Sequence, residues 1–218
     1  MISLHRFCAG LALFTALPSA HAAVLASYDF TAAALTSSDT DPGSTASSVT
    51  GTPAPSTAVT NRLAYSASNT PGTWAANTGY ASFTLTPTGG SLSLDSLSFD
   101  YGLQNVVDGG AYSLRVFTSL TGFNSTTDAL FTYTTPDPVT SNITPTARNV
   151  NLGSYAALQN VADGTPIEFR FYFSDNHSAS TRYHLVDNIV VSSVPEISHG
   201  ILAAFGIGLM ALRRSRKN

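Results

Sequence analysis

Between residues 23 and 193 the chain contains no lysine, no cysteine and a single glutamate, Glu168. Long-chain charged residues that favour helices are therefore nearly missing. Ser, Thr, Asn and Gly abound instead, with β-branched and aromatic residues in short runs, so strands joined by polar loops are expected. The only cysteine, Cys8, precedes an apolar stretch, whereas a lipoprotein cysteine would follow one. A stretch without thiols excludes disulfides and Cys-ligated zinc. Positive charge is also scarce there. Five arginines stand against eleven aspartates and Glu168, a net charge of −7 that the −3 of the whole 218-residue chain conceals. Such a surface repels phosphate backbones, so nucleic acid is not an expected partner.

What is present begins at the two ends. Residues 1–22 have the three parts of a secretory signal peptide: His5 and Arg6, the apolar stretch Phe7 to Leu17, and Ala20-His21-Ala22. Signal peptidase accepts only small side chains, which places its cut between Ala22 and Ala23. At the other end Val194-Pro195-Glu196 is followed by the apolar run Ile197 to Leu212 and by Arg213-Arg214-Ser215-Arg216-Lys217. Sixteen residues at about 1.5 Å each make roughly 24 Å of helix, a workable membrane span with snorkelling arginines. Arg213, Arg214, Arg216 and Lys217 resist crossing and hold that end in the cytoplasm, which leaves residues 23–193 outside.

The tripartite tail, residues 194–218, resembles the PEP-CTERM sorting signal of Gram-negative bacteria, a substrate tag for exosortases. Pro195 and Glu196 match the first two positions of its Pro-Glu-Pro motif, and Ile197 stands where the second proline is usual. Gly200, Gly206, Gly208 and Arg213-Arg214 fit the small-residue span and the arginine cluster. The order of segments is similar to that of ectodomains commonly attached to such tails. The residues carrying this are Tyr28-Asp29-Phe30, Tyr80 to Pro87, Leu97 to Gly102, and a closing His184 to Val191 that runs directly into the tail. The resemblance implies a β-sandwich of unassigned activity, an exosortase-type processing enzyme as partner, and a route from the cytoplasmic membrane to the cell surface or exterior.

Alternating apolar residues mark strands at Val24–Phe30, Tyr80–Thr86, Leu92–Tyr101, Tyr112–Thr118, Ala129–Thr134, Arg148–Leu152, Ile167–Phe173 and Tyr183–Ser192. Residues 31–72 read as loop, with short strands near Val49 and Leu63. The alternation slips at Asp95-Ser96, the mark of a β-bulge. Ile167, Phe169, Phe171 and Phe173 form the strongest core stripe, with Glu168, Arg170 and Tyr172 on the opposite face. About eight short strands predict an all-β ectodomain over 23–193, a two-sheet antiparallel sandwich of jelly-roll type. One internal echo is visible: Leu103 to Gly109 recurs as Leu158 to Gly164, which reads either as two structurally equivalent turns or as a shared ligand site at Asp108 and Asp163.

No catalytic constellation stands out. A glycoside hydrolase needs two facing carboxylates, and Glu168, beside Arg170, reads as one half of a surface cross-strand ion pair. No Gly-x-Ser-x-Gly elbow occurs. Asp175, His177, His184 and Asp187 are the densest set of metal-ligating residues, but the two histidines read as solvated. Asp29 and Asp187 are candidate calcium ligands, because the domain is similar in outline to several carbohydrate-binding jelly rolls whose terminal strands lie together and carry a structural calcium; the alternative is that Asp187-Asn188 forms a bulge or turn. The lone Trp74, near Tyr65 and Tyr80, is either a sugar-stacking platform or packed in the fold. The expected function is a non-enzymatic structural or adhesive sandwich within surface polysaccharide. A carbohydrate-binding module is the alternative, with a glycan hydrolase behind both.

Overall fold

The computed structural model describes residues 22–31, 34–52, 54–59, 61–66, 79–106, 111–135, 141–175 and 183–194. Ala23–Val194 forms one compact unit. The two terminal segments assigned to the signal peptide and the sorting tail lie outside the described residues, apart from Ala22 and Val194. Among the described residues no helix is long and apolar enough to cross a membrane.

Among the described residues twelve strands build two antiparallel sheets. They are β1 (Val24–Tyr28), β2 (Ser44–Ala46), β3 (Thr50–Thr52), β4 (Ser56–Val59), β5 (Arg62–Tyr65), β6 (Tyr80–Pro87), β7 (Leu94–Gln104), β8 (Tyr112–Thr118), β9 (Phe131–Thr134), β10 (Ile143–Asn151), β11 (Ile167–Asp175) and β12 (Tyr183–Ser193). One sheet runs β10-β7-β12-β5-β4, with β1 also on β12; the other runs β2-β6-β11-β8-β9, with β3 also on β6. The last eight strands thus pair as β5-β12-β7-β10 facing β6-β11-β8-β9, the strand order of a jelly roll.

Alternation explains which faces meet. Phe169, Phe171 and Phe173 point inward from β11 and Leu97, Phe99 and Tyr101 from β7, all at most 1% exposed. Phe83 stacks on its cross-strand neighbour Phe169 at 5.0 Å within one sheet, and Phe99 meets Phe171 edge-on at 5.3 Å across the two sheets. The expected slip at Asp95-Ser96 is present: Ser192 pairs with Ser96 but Ser193 with Leu94.

Residues 31–72 hold more strand than expected. β2 and β4 carry no alternation long enough to announce them, and both exist by pairing with neighbours. β1 and β5 share one edge of β12, end to end: Leu63–Tyr65 pair with Val186–His184, and Val24–Tyr28 with Ser192–Ile189. β10 begins at Ile143, five residues before the expected Arg148, and its register against β7 shifts between Ile143 and Thr146.

The register also orients the sandwich. β5, β7, β9 and β11 end, and β6, β8, β10 and β12 begin, at one end of the sheets. Both chain exits, Ala23 and Val194, lie at the other.

Candidate functional site

The chain exits are joined. Ser193 N–H donates to the Ala23 carbonyl at 2.9 Å, Ala23 N–H donates to Ser193 Oγ at 3.2 Å, and Val194 N–H donates to the Ser93 carbonyl at 2.9 Å. Ser193 is buried, and Val194, 36% exposed, is where the chain leaves the sheet. Of the sorting motif only Val194 is described; Pro195, Glu196, Arg213, Arg214, Arg216 and Lys217 lie outside the described residues.

At the junction of β5 and β1 along β12 lies a polar cluster. β12 pairs Asp187 with Asp100 and Val190 with Ser98, so it carries one extra residue there, and Asn188 takes a left-handed φ of 49°. Of the bulge or turn that stood as the alternative at Asp187-Asn188, the structure has the bulge. It puts two carboxylates opposite each other, and neighbouring groups compensate. Asn188 Nδ2 donates to Asp100 Oδ2 at 2.8 Å, Asn188 N–H donates to Asp187 Oδ1 at 2.9 Å, and Arg62 Nε lies 3.4 Å from Asp187 Oδ2. Burial nevertheless raises the Asp187 carboxyl above its ordinary range, against the pull of Asn188 and Arg62. Asp29, just past β1, accepts from the Thr31 N–H and hydroxyl at 3.1 and 3.0 Å. The terminal strands do lie together. Among the described residues no three metal-ligating side chains gather, and both candidate calcium ligands already have protein partners.

The outer face of the β11 sheet carries a second cluster. Arg170 donates from Nε and Nη2 to both oxygens of Glu168, at 2.9 and 2.8 Å, and from Nη1 to the Tyr172 hydroxyl at 3.2 Å. Its guanidinium lies 3.9 Å from the Phe123 ring centroid and 4.5 Å from that of Tyr80. The fork raises the Arg170 pKa further. The ion pair is therefore not cross-strand as expected: positions two apart on one strand share a face, and the cross-strand neighbours of Arg170 are Ser82 and Phe117. Phe117 and Tyr172 are buried on this outer face, under Phe123 and Tyr80.

His184 overturns the solvated reading. In phase with Val186, it points between the sheets, 1% exposed, against Tyr101, Tyr112 and Phe173. Its Nδ1 lies 2.8 Å from the Tyr101 hydroxyl, and Nε2 makes no hydrogen bond among the described residues. Burial pushes the imidazole down to about 3, so it is neutral, and pushes the Tyr101 hydroxyl up. Asp175 is likewise buried, at the end of β11. His177 lies outside the described residues.

The described parts of the two copies of the internal echo, 103–106 and 158–164, lie at opposite ends of the sandwich. Leu103-Gln104 closes β7 at one end of the sandwich, whereas Leu92 bridges to Val161 at the other, beside the chain exits. What they share is local: Asn105 and Asn160 both take a left-handed φ, 58° and 53°. Asp163 accepts from Gly89 N–H at 2.9 Å, which ties two connections together. Asp108 and Trp74 lie outside the described residues.

The buried histidine and the Asp187 bulge were findable, since apolar phase changes from 184 and 186 to 189 and 191. Phe123 over Arg170 had no such signal, because the contact depends on how the segment after β8 folds back.

No protein-family model matches the chain, and no curated protein does. Among solved structures it is similar to a cleaved adhesin domain of Lys-gingipain from Porphyromonas gingivalis, 13% identical over 78% of this chain and 100% of that one, with a TM-score of 0.38. A carbohydrate-binding module with specific mannan recognition is 12% identical over 80% of this chain and 99% of that one, with a TM-score of 0.39. Likeness at this level identifies no family and carries no functional argument.

Proposed function

We propose that the chain is an exported, non-enzymatic structural or adhesive β-sandwich, displayed at the cell surface or in the extracellular matrix and sorted by its tail. The observation that supports this reading is the pairing of Ala23 with Ser193, which brings both exits to one end of the jelly roll. A domain attached there directs its opposite end away from the attachment. β12, with its eleven residues at about 3.3 Å each, sets that distance at roughly 36 Å. Signal peptidase cuts between Ala22 and Ala23, the 197–212 run anchors the precursor in the cytoplasmic membrane, and an exosortase-type enzyme recognises Val194-Pro195-Glu196.

The two roles of the tail separate by free energy. The apolar run drives insertion, and the Arg213–Lys217 cluster opposes crossing. Pro195-Glu196 contributes little to either, so recognition is its role. Deleting 197–218 releases soluble ectodomain, whereas Pro195→Ala with Glu196→Ala leaves an intact membrane-bound precursor that accumulates, as membrane fractionation reads. Unchanged processing of the double variant in a host with an exosortase removes the sorting role.

A carbohydrate-binding module is the second reading. It is favoured by the half-buried Tyr80, Phe123, Arg170 and Glu168, which gather ring faces and planar polar groups on one outer face. A glycan array on the ectodomain separates the two. Selective binding lost on Tyr80→Ala or Trp74→Ala makes it a module, and no selective binding leaves the structural role.

A further inference from the structure

The fold leaves the tail no slack. Ser193 N–H and Val194 N–H are bonded to opposite neighbours, the Ala23 carbonyl on the β1 side and the Ser93 carbonyl on the β7 side, both at 2.9 Å. Ser192 Oγ and Ser96 Oγ, 2.7 Å apart, add a side-chain bond one residue earlier. Sheet structure thus reaches the residue before Pro195. Only Pro195 and Glu196 separate it from the apolar run, a contour of at most about 11 Å. An enzyme that threads an extended segment around the motif needs chain on its N-terminal side, and the sandwich holds that chain in a sheet.

Ala23 is the residue that closes this arrangement. Its carbonyl takes the Ser193 N–H, and its own nitrogen donates to Ser193 Oγ at 3.2 Å. Under the export reading, on which this inference rests, Ala23 is also the first residue left after signal-peptide removal. We propose that Ala23 clamps the Ser193-Val194 exit, and that opening of this clamp limits the rate at which the tail is processed. The N-terminal cut would then position the lock on the C-terminal one. The bonds involved are few and lie at a sheet end, where local opening costs far less than global unfolding.

Three arms test this in the full chain, in a host with an exosortase, by pulse-chase of precursor conversion. Six Gly/Ser residues inserted between Val194 and Pro195 add at most about 20 Å of free chain, and conversion accelerates several-fold. Ser193→Pro, which deletes the N–H bonded to Ala23, accelerates it in the same direction without the insertion. Pro195→Ala with Glu196→Ala blocks conversion with or without the insertion. A double-alanine block with a spacer that changes nothing overturns the clamp and leaves the sorting role standing. Conversion insensitive to all three removes both. Amide exchange gives a readout independent of processing: Ser193 and Val194 N–H exchange more slowly than free chain but faster than the interior of β12, and free-chain exchange at both positions overturns the clamp.

Discussion

His184 shows how a residue chosen for its chemistry can be governed by its place in the packing. The unfolded imidazole titrates near its ordinary value of about 6.5, and the enclosed one near 3. Between those values the unfolded chain binds the extra proton, so stability falls as pH falls, by up to about 1.4 kcal/mol per pH unit. The melting temperature is therefore expected to be level above about pH 7 and to decline from there toward pH 4. His184→Phe lowers the plateau, because the Tyr101 hydroxyl loses its partner at a cost of about 1–3 kcal/mol, and it flattens the decline. Parallel profiles for the two proteins would show that another group titrates. Asp29 and Asp187 belong to the same scale. Each carboxylate is held by groups of the chain itself, Thr31 for one and Arg62 with Asn188 for the other. Millimolar calcium should therefore leave the thermal transition where it is. A rise following RT ln(1 + [L]/Kd) would instead place a metal between the terminal strands.

Among the elements, β7 and β10 show what alternation can and cannot announce. Tyr112–Thr118 is found as expected, because its apolar period is unbroken. β7 runs on to Gln104 through Gly102, where a glycine is required by close approach. A Cβ at that position would stand 2.5 Å from the Ile143 carbonyl oxygen and 2.6 Å from Pro145 N. The start of β10, bulged around a proline, passes directly over it. Gly102→Ala is expected to push the Ile143–Pro145 segment off β7 and to cost more than about 2 kcal/mol, read by denaturant unfolding. Loss of amide protection should centre on Ile143 and Thr144. An alanine tolerated without loss would mean that β10 pairs only from Thr146 onward.

For the whole molecule the decisive feature is that the first strand pairs with the last. Leu25, Ala26, Tyr28 and Phe30 are all at most 1% exposed, in one core with Phe83, Val191 and Ile189. Burying three side chains the size of Leu25, Tyr28 and Phe30 stabilises the fold by about 5–9 kcal/mol, comparable to the whole stability of many domains. Removing residues 23–30 is therefore expected to unfold the sandwich rather than shorten it. Circular dichroism and calorimetry of the truncated chain check this; a cooperative β transition that survives would show that β1 is an appendage. The same pairing means that the sandwich closes only when β1 and β12 lie on the same side of any membrane.

The sequence by itself determined the class of fold and most of its strands, because composition and a period of two act locally: a stripe such as Ile167, Phe169, Phe171, Phe173 has only one face to bury. It also located the phase slip at Asp95-Ser96 and the special backbone at Asp187-Asn188. Tertiary structure alone decided the rest. β2 and β4 exist because a neighbour offers an edge, Arg170 finds Phe123 because a connection folds back over the sheet, and His184 is dry because the facing sheet supplies Tyr112 and Phe173. The junction of Ala23 with Ser193, 170 residues apart, is of the same kind. No local pattern encodes it, because it arises from the pairing of the first strand with the last.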